Sequence, residues 1–277
     1  MGWLDGKVAV VTGASRGIGA GIARLFGREG ARVAAVARTA EPLEGRLPGS
    51  LSDTVGAIRE AGGDAAAIPA DLSIPAERAR LVAEAEQRLG PIDILVNNAA
   101  VTYFTPVAEF RPRRFDLMLE VQVRAPFQLA QLVLPGMRAR ERGWIVNISS
   151  VAARHPSIPP RGRSASGAGT VYGTCKAAVE RFSTGLAAEV YADGIAVNAL
   201  SPTKVVATPG TVFHGLTSAD DPDAEPPTVM AAAALALCSG DPRALTGRIA
   251  YSQDLLEELG LPVPVDKDSP AARTTAG

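Results

Sequence analysis

Cysteine and histidine are nearly absent: Cys175, Cys238, His155 and His214 are the only ones in 277 residues. They stand too far apart to suggest a metal-ligand cluster, so a zinc mechanism is not expected. Two isolated thiols fit free cysteines of a reducing cytosol better than a disulfide framework. An excess of one charge is lacking too. Lys plus Arg number 28 and Asp plus Glu 29, a net charge of −1. That balance excludes the electrostatic footprint of a nucleic-acid binder and a polybasic membrane anchor. No apolar run reaches the ~18 residues of a membrane span; "VMAAAALALC" is about half that and reads as a buried helix. The opening "MGWLDGKVAVVTGAS" has no basic segment followed by an apolar one, so no secretory signal and a cytoplasmic location are expected.

What the chain does have is alternation. The runs 7–12, 31–37, 65–70, 92–97, 144–149, 195–200 and a weaker 247–252 read as strands. Several are apolar nearly throughout, as strands covered on both faces are. Amphipathic helical segments lie near 17–29, 52–61, 75–89, 114–138, 171–192 and 228–238. This order predicts an α/β fold, a doubly wound parallel sheet of about seven strands with right-handed crossovers and helices on both faces. No repeat or linker interrupts it. One domain over 1–261 is the simplest organisation, and 262–277 lacks periodicity and reads as a flexible tail. Stretches 38–50, 153–170 and 208–227 are rich in breakers and read as long loops, the kind that carry function or stay mobile. The apolar members Ile158, Val212, Phe213 and Leu216 of the last two hint at a hydrophobic substrate.

Between the first strand and first helix runs "VVTGASRGIGAGIARLF", with Gly13, Gly17 and Gly19. Glycines here permit a tight turn and close backbone approach, and the helix start offers free N–H groups to a pyrophosphate. Ser15, Arg16 and Ile18 belong to the same loop. The acidic residue expected about 20 residues on, which would bind a ribose 2′-hydroxyl, is missing. Arg38 ends the second strand instead. Arg16 and Arg38 are either ordinary surface arginines or a guanidinium pair for a 2′-phosphate. The second reading favours NADP(H), with NAD(H) possible.

"VYGTCK" places Tyr172 and Lys176 four apart, on one face of a helix. Spacing alone leaves open a surface pair or a phenol whose proton is being adjusted. Cys175 between them points elsewhere on the helix and reads as packing.

The motifs "TGASRGIG" (12–19), "DL" (71–72), "NNAA" (97–100), "NISS" (147–150), "YGTCK" (172–176) and "NALSPTKVVATPG" (198–210) follow one another in order. In these the chain resembles the short-chain dehydrogenase/reductase family over roughly residues 5–250. The resemblance implies a Rossmann-like fold and NAD(P)-dependent interconversion of an alcohol and a ketone or aldehyde. Tyr172 would be the general acid or base. Lys176 would lower the phenol's pKa and hold the nicotinamide ribose, and Ser150 would steady the substrate oxygen. Asp71 would contact the adenine edge and Asn97 the region beside the adenosine ribose, with Leu72 and Ala99 also binding the cofactor. Val205 and the backbone near Pro202 and Thr203 would face the nicotinamide amide, and Thr208 would bond that amide or the phosphates. Asn97 has a competing role, pinning neighbouring strands. The resemblance also implies a homodimer or homotetramer through helices 114–138 and 171–192.

The chain departs from the family pattern in four places. Gln122 stands where an Asn usually sets a distorted turn that carries a proton relay, and the relay is expected to survive in altered form. The loop between Ser150 and Tyr172 is longer than usual and either edges the substrate cleft or is a surface insertion. Thr203 replaces a glycine, with one extra residue before Thr208. "RIAYSQDLLEELG" replaces a glycine-rich last strand. Two other function classes compete: an NADPH-binding sensor with little turnover, marked by Gln122, and a non-redox enzyme such as a lyase on the same fold. The intact Tyr172, Lys176 and Ser150 set argues against the first, and the intact glycine loop against the second.

Overall fold

A computed structural model describes residues 2–42, 47–159 and 168–264. Strand β1 (Val8–Thr12) is buried along its whole length and leads into helix α1 (Gly17–Arg28). There follow β2 (Arg32–Ala37), α2 (Leu51–Glu60), β3 (Asp64–Pro69), α3 (Pro75–Leu89) and β4 (Ile94–Asn97). The second half holds α4 (Pro112–Leu119), a π turn (Glu120–Arg124), α5 (Ala125–Ala139), β5 (Gly143–Ile148), α6 (Thr170–Glu189) and β6 (Ile195–Ser201). It closes with α7 (Pro209–Phe213), α8 (Pro227–Leu237), β7 (Ile249–Tyr251) and α9 (Ser252–Glu258).

Among the described residues the seven strands form one parallel sheet in the order β3-β2-β1-β4-β5-β6-β7. This is the doubly wound, Rossmann-like arrangement that the alternation predicts. One face packs Ile22, Ala23 and Phe26 of α1, Leu51, Val55 and Ile58 of α2, and the apolar helix α8. The other packs Leu81, Val82 and Ala85 of α3, Leu129 and Val133 of α5, and Leu186 of α6. With both faces covered, the central strands have no polar face to show, which is why their sequences run apolar without alternation.

The direction of winding reverses between β1 and β4, and a crevice opens there beyond the carboxyl ends of the strands. Thr12 closes its floor. Its hydroxyl donates to the Val96 carbonyl (3.2 Å) and accepts the backbone N–H groups of Asn98 (3.0 Å) and Ala99 (3.1 Å).

Two elements depart from the sequence reading. Residues 208–227 are not all loop: Thr208 caps α7 through a reciprocal bond pair with Thr211, and Pro209 opens the helix. The last strand is followed directly by α9. Both helices are too short to show periodicity. Residues 160–167 of the predicted 153–170 loop, 43–46 of the 38–50 loop and 265–277 of the predicted tail lie outside the described residues.

Candidate active site

The sequence-predicted residues gather beyond the carboxyl ends of successive strands: the glycine loop after β1, Arg38 after β2, Asp71 and Leu72 after β3, Ala99 after β4, Ser150 after β5, and Pro202 and Thr203 after β6. The topology alone brings them to one edge of the sheet.

The loop after β1 is packed so closely that only glycine fits. A Cβ on Gly13, whose φ is +67°, would lie 2.7 Å from the Asn98 amide nitrogen. One on Gly19 would lie 2.4 Å from both that nitrogen and the Gly13 carbonyl oxygen. The Asn98 amide in turn donates to the Thr12 carbonyl at 2.9 Å. Asn98 therefore shapes the loop, a role the sequence reading passed over although "NNAA" contains it. At the start of α1 the Arg16 side chain forms no cap and no acidic residue stands in the first turn. The first-turn N–H groups, including those of Gly17, Ile18 and Gly19, have no helical carbonyl to donate to. Such an end fits a pyrophosphate. Ser15 is buried beside it, and Thr208 lies against it, within 3.1 Å of where a Gly17 Cβ would be.

Arg16 reaches toward the end of β2. Its guanidinium donates to the Gly49 carbonyl (3.0 Å) and to the Thr39 hydroxyl (3.4 Å). Arg38, adjacent to Thr39, is exposed, so both arginines belong to one corner of the crevice. Asp71 Oδ1 accepts the Ser73 N–H (2.9 Å) and hydroxyl (2.7 Å). Burial alone would raise its carboxyl. The two Ser73 bonds and the charges of Arg38 and Arg78 outweigh that and hold it below the usual range. The Leu72 carbonyl is gripped by buried Arg78 (2.7 Å from Nε), which also bonds Gln128 (2.8 Å) and pairs with Glu120 of the π turn.

Asn97 sits at the end of β4. Its side chain is buried and donates to Asn147 Oδ1 at 2.8 Å, and Asn147 continues to the Ser183 hydroxyl at 2.9 Å. Of its two predicted roles, the strand pin is the one its side chain occupies. Gln122 lies in the π turn and donates to the Val101 carbonyl at 2.8 Å. The distorted turn is present with Gln, while the amide itself fastens the segment after β4.

Ser150 lies two residues beyond β5 and accepts the Ala152 N–H at 3.2 Å. Its hydroxyl is also hydrogen-bonded to the Tyr172 phenol. Gly173 makes that meeting possible, because a Cβ there would lie 2.5 Å from the Ala152 carbonyl oxygen. Gly173→Ala is expected to raise the helix propensity of α6 yet displace the Ser150 turn. Turnover should fall by roughly 10- to 100-fold with cofactor affinity unchanged, as steady-state kinetics and binding titrations would measure.

Lys176 is buried and its ammonium donates to the Ile148 carbonyl at 2.9 Å, with Nζ 5.6 Å from the Tyr172 ring centroid. Burial lowers its pKa to about 8 and raises that of Tyr172, against the opposing Ser150 hydrogen bond. The family resemblance implied that Lys176 would move the phenol down. Desolvation wins because the ammonium is directed at a carbonyl rather than at the phenol oxygen. An unfolded lysine keeps its proton to about pH 10.4, so between about 8 and 10.4 the unfolded chain binds more protons and this group adds stability as pH rises. Lys176→Met is expected to melt highest relative to wild type below pH 8, with that relative advantage shrinking toward pH 10. A pH-independent difference in Tm would contradict this.

Phe104 packs edge-on to the Tyr172 ring (centroids 5.6 Å apart) and to His214 (5.4 Å), which meets Phe213 at 5.3 Å. Phe213 is 71% exposed, so an aromatic wall runs from the phenol to the surface. Val205 is half-buried, Cys175 is a buried free thiol, and Cys238 is another. Among the described residues no group of three or more His, Cys, Asp or Glu could hold a metal ion, and no helix is long and apolar enough to cross a membrane.

A family model described as short chain dehydrogenase matches residues 7–214. A short chain dehydrogenase of Pseudocercospora fijiensis is 38% identical over 74% of this chain, and the alignment spans 62% of that protein's length, less than two thirds. A solved short chain dehydrogenase of Mycobacterium thermoresistibile superposes with a TM-score of 0.79 at 33% identity, covering 96% of this chain and 97% of that one. A metagenomic short-chain oxidoreductase solved in complex with NADP does so with a TM-score of 0.73 at 30% identity, covering 90% and 98%.

Proposed function

Because this chain belongs to the short-chain dehydrogenase/reductase family of NAD(P)-dependent oxidoreductases, we propose that it reduces a ketone or aldehyde with NADPH and runs the reverse oxidation, with Tyr172 holding the proton. The observation that carries this reading is the meeting of Ser150, Tyr172 and Lys176 at the ends of β5 and α6, Ser150 bonded to the phenol and Lys176 beside its ring.

Gly13, Ser15, Gly17, Ile18 and Gly19 would hold the pyrophosphate, and Arg16 and Arg38 the 2′-phosphate. Asp71 and Leu72 would sit at the adenine, Ala99 beside the ribose, and Pro202, Thr203, Val205 and Thr208 at the nicotinamide. The glycine cradle and the uncapped start of α1 fit such a group. Bound NADP(H) supplies or accepts the hydride. Tyr172, kept neutral by burial, presents its O–H to the carbonyl oxygen, and Ser150 donates to the same oxygen as charge gathers there. Once the proton has left, the Lys176 ammonium steadies the phenolate and holds the ribose hydroxyls. Above about pH 8 that ammonium is lost. The π turn around Gln122 keeps the distortion that a proton relay uses, which favours the enzyme over the sensor reading.

The aromatic wall, with the exposed apolar Val212 next to Phe213 in the chain, supports a hydrophobic substrate. Phe127 on α5 is half exposed, its ring 6.0 Å from that of Phe182 on α6, which supports pairing of subunits through these helices as a homodimer or homotetramer. The two buried free thiols suit the reducing cytoplasm. The test is NADPH consumption against a panel of aldehydes, ketones and diketones. Turnover is expected, fastest with apolar carbonyls. Tight NADPH binding with no turnover across the panel would transfer support to the sensor reading.

A further inference from the structure

The 202–208 segment has neither the glycine nor the length of the family pattern, so something else has to set its shape. Glu225, in the stretch between α7 and α8 and beyond the family-matched residues, is buried to 1% exposure. Its carboxylate accepts the Ser252 hydroxyl at 2.6 and 2.8 Å and the Gln253 amide at 3.2 Å. The backbone N–H groups of Lys204 and Thr203 face it as well and favour its charged form. The Glu225 backbone pairs with the same segment: its N–H donates to the Val205 carbonyl (2.8 Å) and its carbonyl accepts from Ala207 (3.2 Å). Thr203 is bound a second way, its N–H to Ser252 Oγ (3.0 Å) and its hydroxyl accepting the Gln253 N–H (3.0 Å).

A buried carboxylate is costly unless donors surround it, and here every named neighbour donates. Burial pushes this carboxyl above the ordinary range while those donors hold it back. The anchoring groups, Ser252 and Gln253, open α9. The residue before them, Tyr251, accepts a hydrogen bond from Arg154 (2.7 Å), in the turn that follows Ser150. The end of β7 thus bears on both walls of the crevice. Downstream the chain runs from this fixed segment into the Thr208 cap and α7, with the Thr211 hydroxyl bonded to the Val206 carbonyl at 2.6 Å.

We propose that Glu225, working through Ser252 and Gln253, is a positioning residue that holds Thr203–Thr208 in the shape that receives the nicotinamide half of the cofactor. The inference rests on the functional reading above, since it takes that segment as the nicotinamide wall.

The test compares two ligands, NADPH and adenosine 2′,5′-bisphosphate, which carries the adenosine half alone. Binding is measured to wild type, Glu225→Ala, Glu225→Gln and Ser252→Ala, with Tm as a control. Glu225→Ala should weaken NADPH about tenfold or more while leaving the bisphosphate unchanged. Gln, which keeps one acceptor oxygen, should recover part of the loss. Ser252→Ala should show the same pattern more weakly, and it serves if Glu225→Ala does not fold. Equal weakening of both ligands, or of neither, would overturn the proposal. A wild type that binds the bisphosphate but gains nothing from the nicotinamide half would overturn the functional reading and this inference with it.

Discussion

Tyr172→Phe is expected to lower turnover by about 10²- to 10⁴-fold, the range a positioned general acid contributes, with NADPH affinity nearly unchanged. The substitution removes one oxygen and leaves the ring, so the edge contact with Phe104 and the packing of α6 persist. What is lost is the O–H at the carbonyl oxygen and the bond to Ser150, a loss of about 1 kcal/mol in stability that does not unfold the domain. Ser150 cannot replace the donor well, because a serine hydroxyl is a much weaker acid than a phenol. Steady-state rates with NADPH binding measured on the same preparation check this. A variant turning over near the wild-type rate would show that the proton comes from elsewhere.

The second large effect concerns the cofactor's phosphate corner. Arg16→Ala combined with Arg38→Ala is expected to raise the Kd for NADPH by about 10²- to 10⁴-fold, each charge-assisted bond contributing roughly 1.5–3 kcal/mol. The Kd for NADH should move little, since it has no 2′-phosphate to lose. Arg16 already points into this corner, held by Gly49 and Thr39, so its guanidinium needs little reordering to meet an anion. The effect should shrink at high salt. Equal losses for both cofactors would mean that the arginines only support the loop, and unchanged NADPH binding would make them surface residues.

The strands and the glycine loop were legible because their signals are local. A strand covered on both faces is apolar at nearly every position, and a turn that tolerates no Cβ is written in glycines. Tyr172, Lys176 and Ser150 were legible only through their motifs taken in order; the four-residue spacing alone did not decide. What escaped depends on contacts far apart in the chain. Asn98 acts on Gly13 from across the switch point, and Asn97 is claimed by Asn147, fifty residues away. Lys176 donates to the Ile148 carbonyl, and burial moves the phenol's pKa opposite to what the resemblance implied. Glu225 reads as one more acid in an acidic loop until the fold places Ser252 and Gln253 against it. Helices α7 and α9, at five and seven residues, fall below the length at which periodicity speaks.

Deuteride transfer tests the central claim most directly. NADPH carrying deuterium at both nicotinamide C4 positions is incubated with the enzyme and the best carbonyl of the panel, and the alcohol product is weighed by mass spectrometry. One deuterium on the carbinol carbon, formed by wild type and about 10²- to 10⁴-fold more slowly by Tyr172→Phe, is the expected result. An alcohol without the label, or oxidation of NADPH with no labelled alcohol, would contradict it.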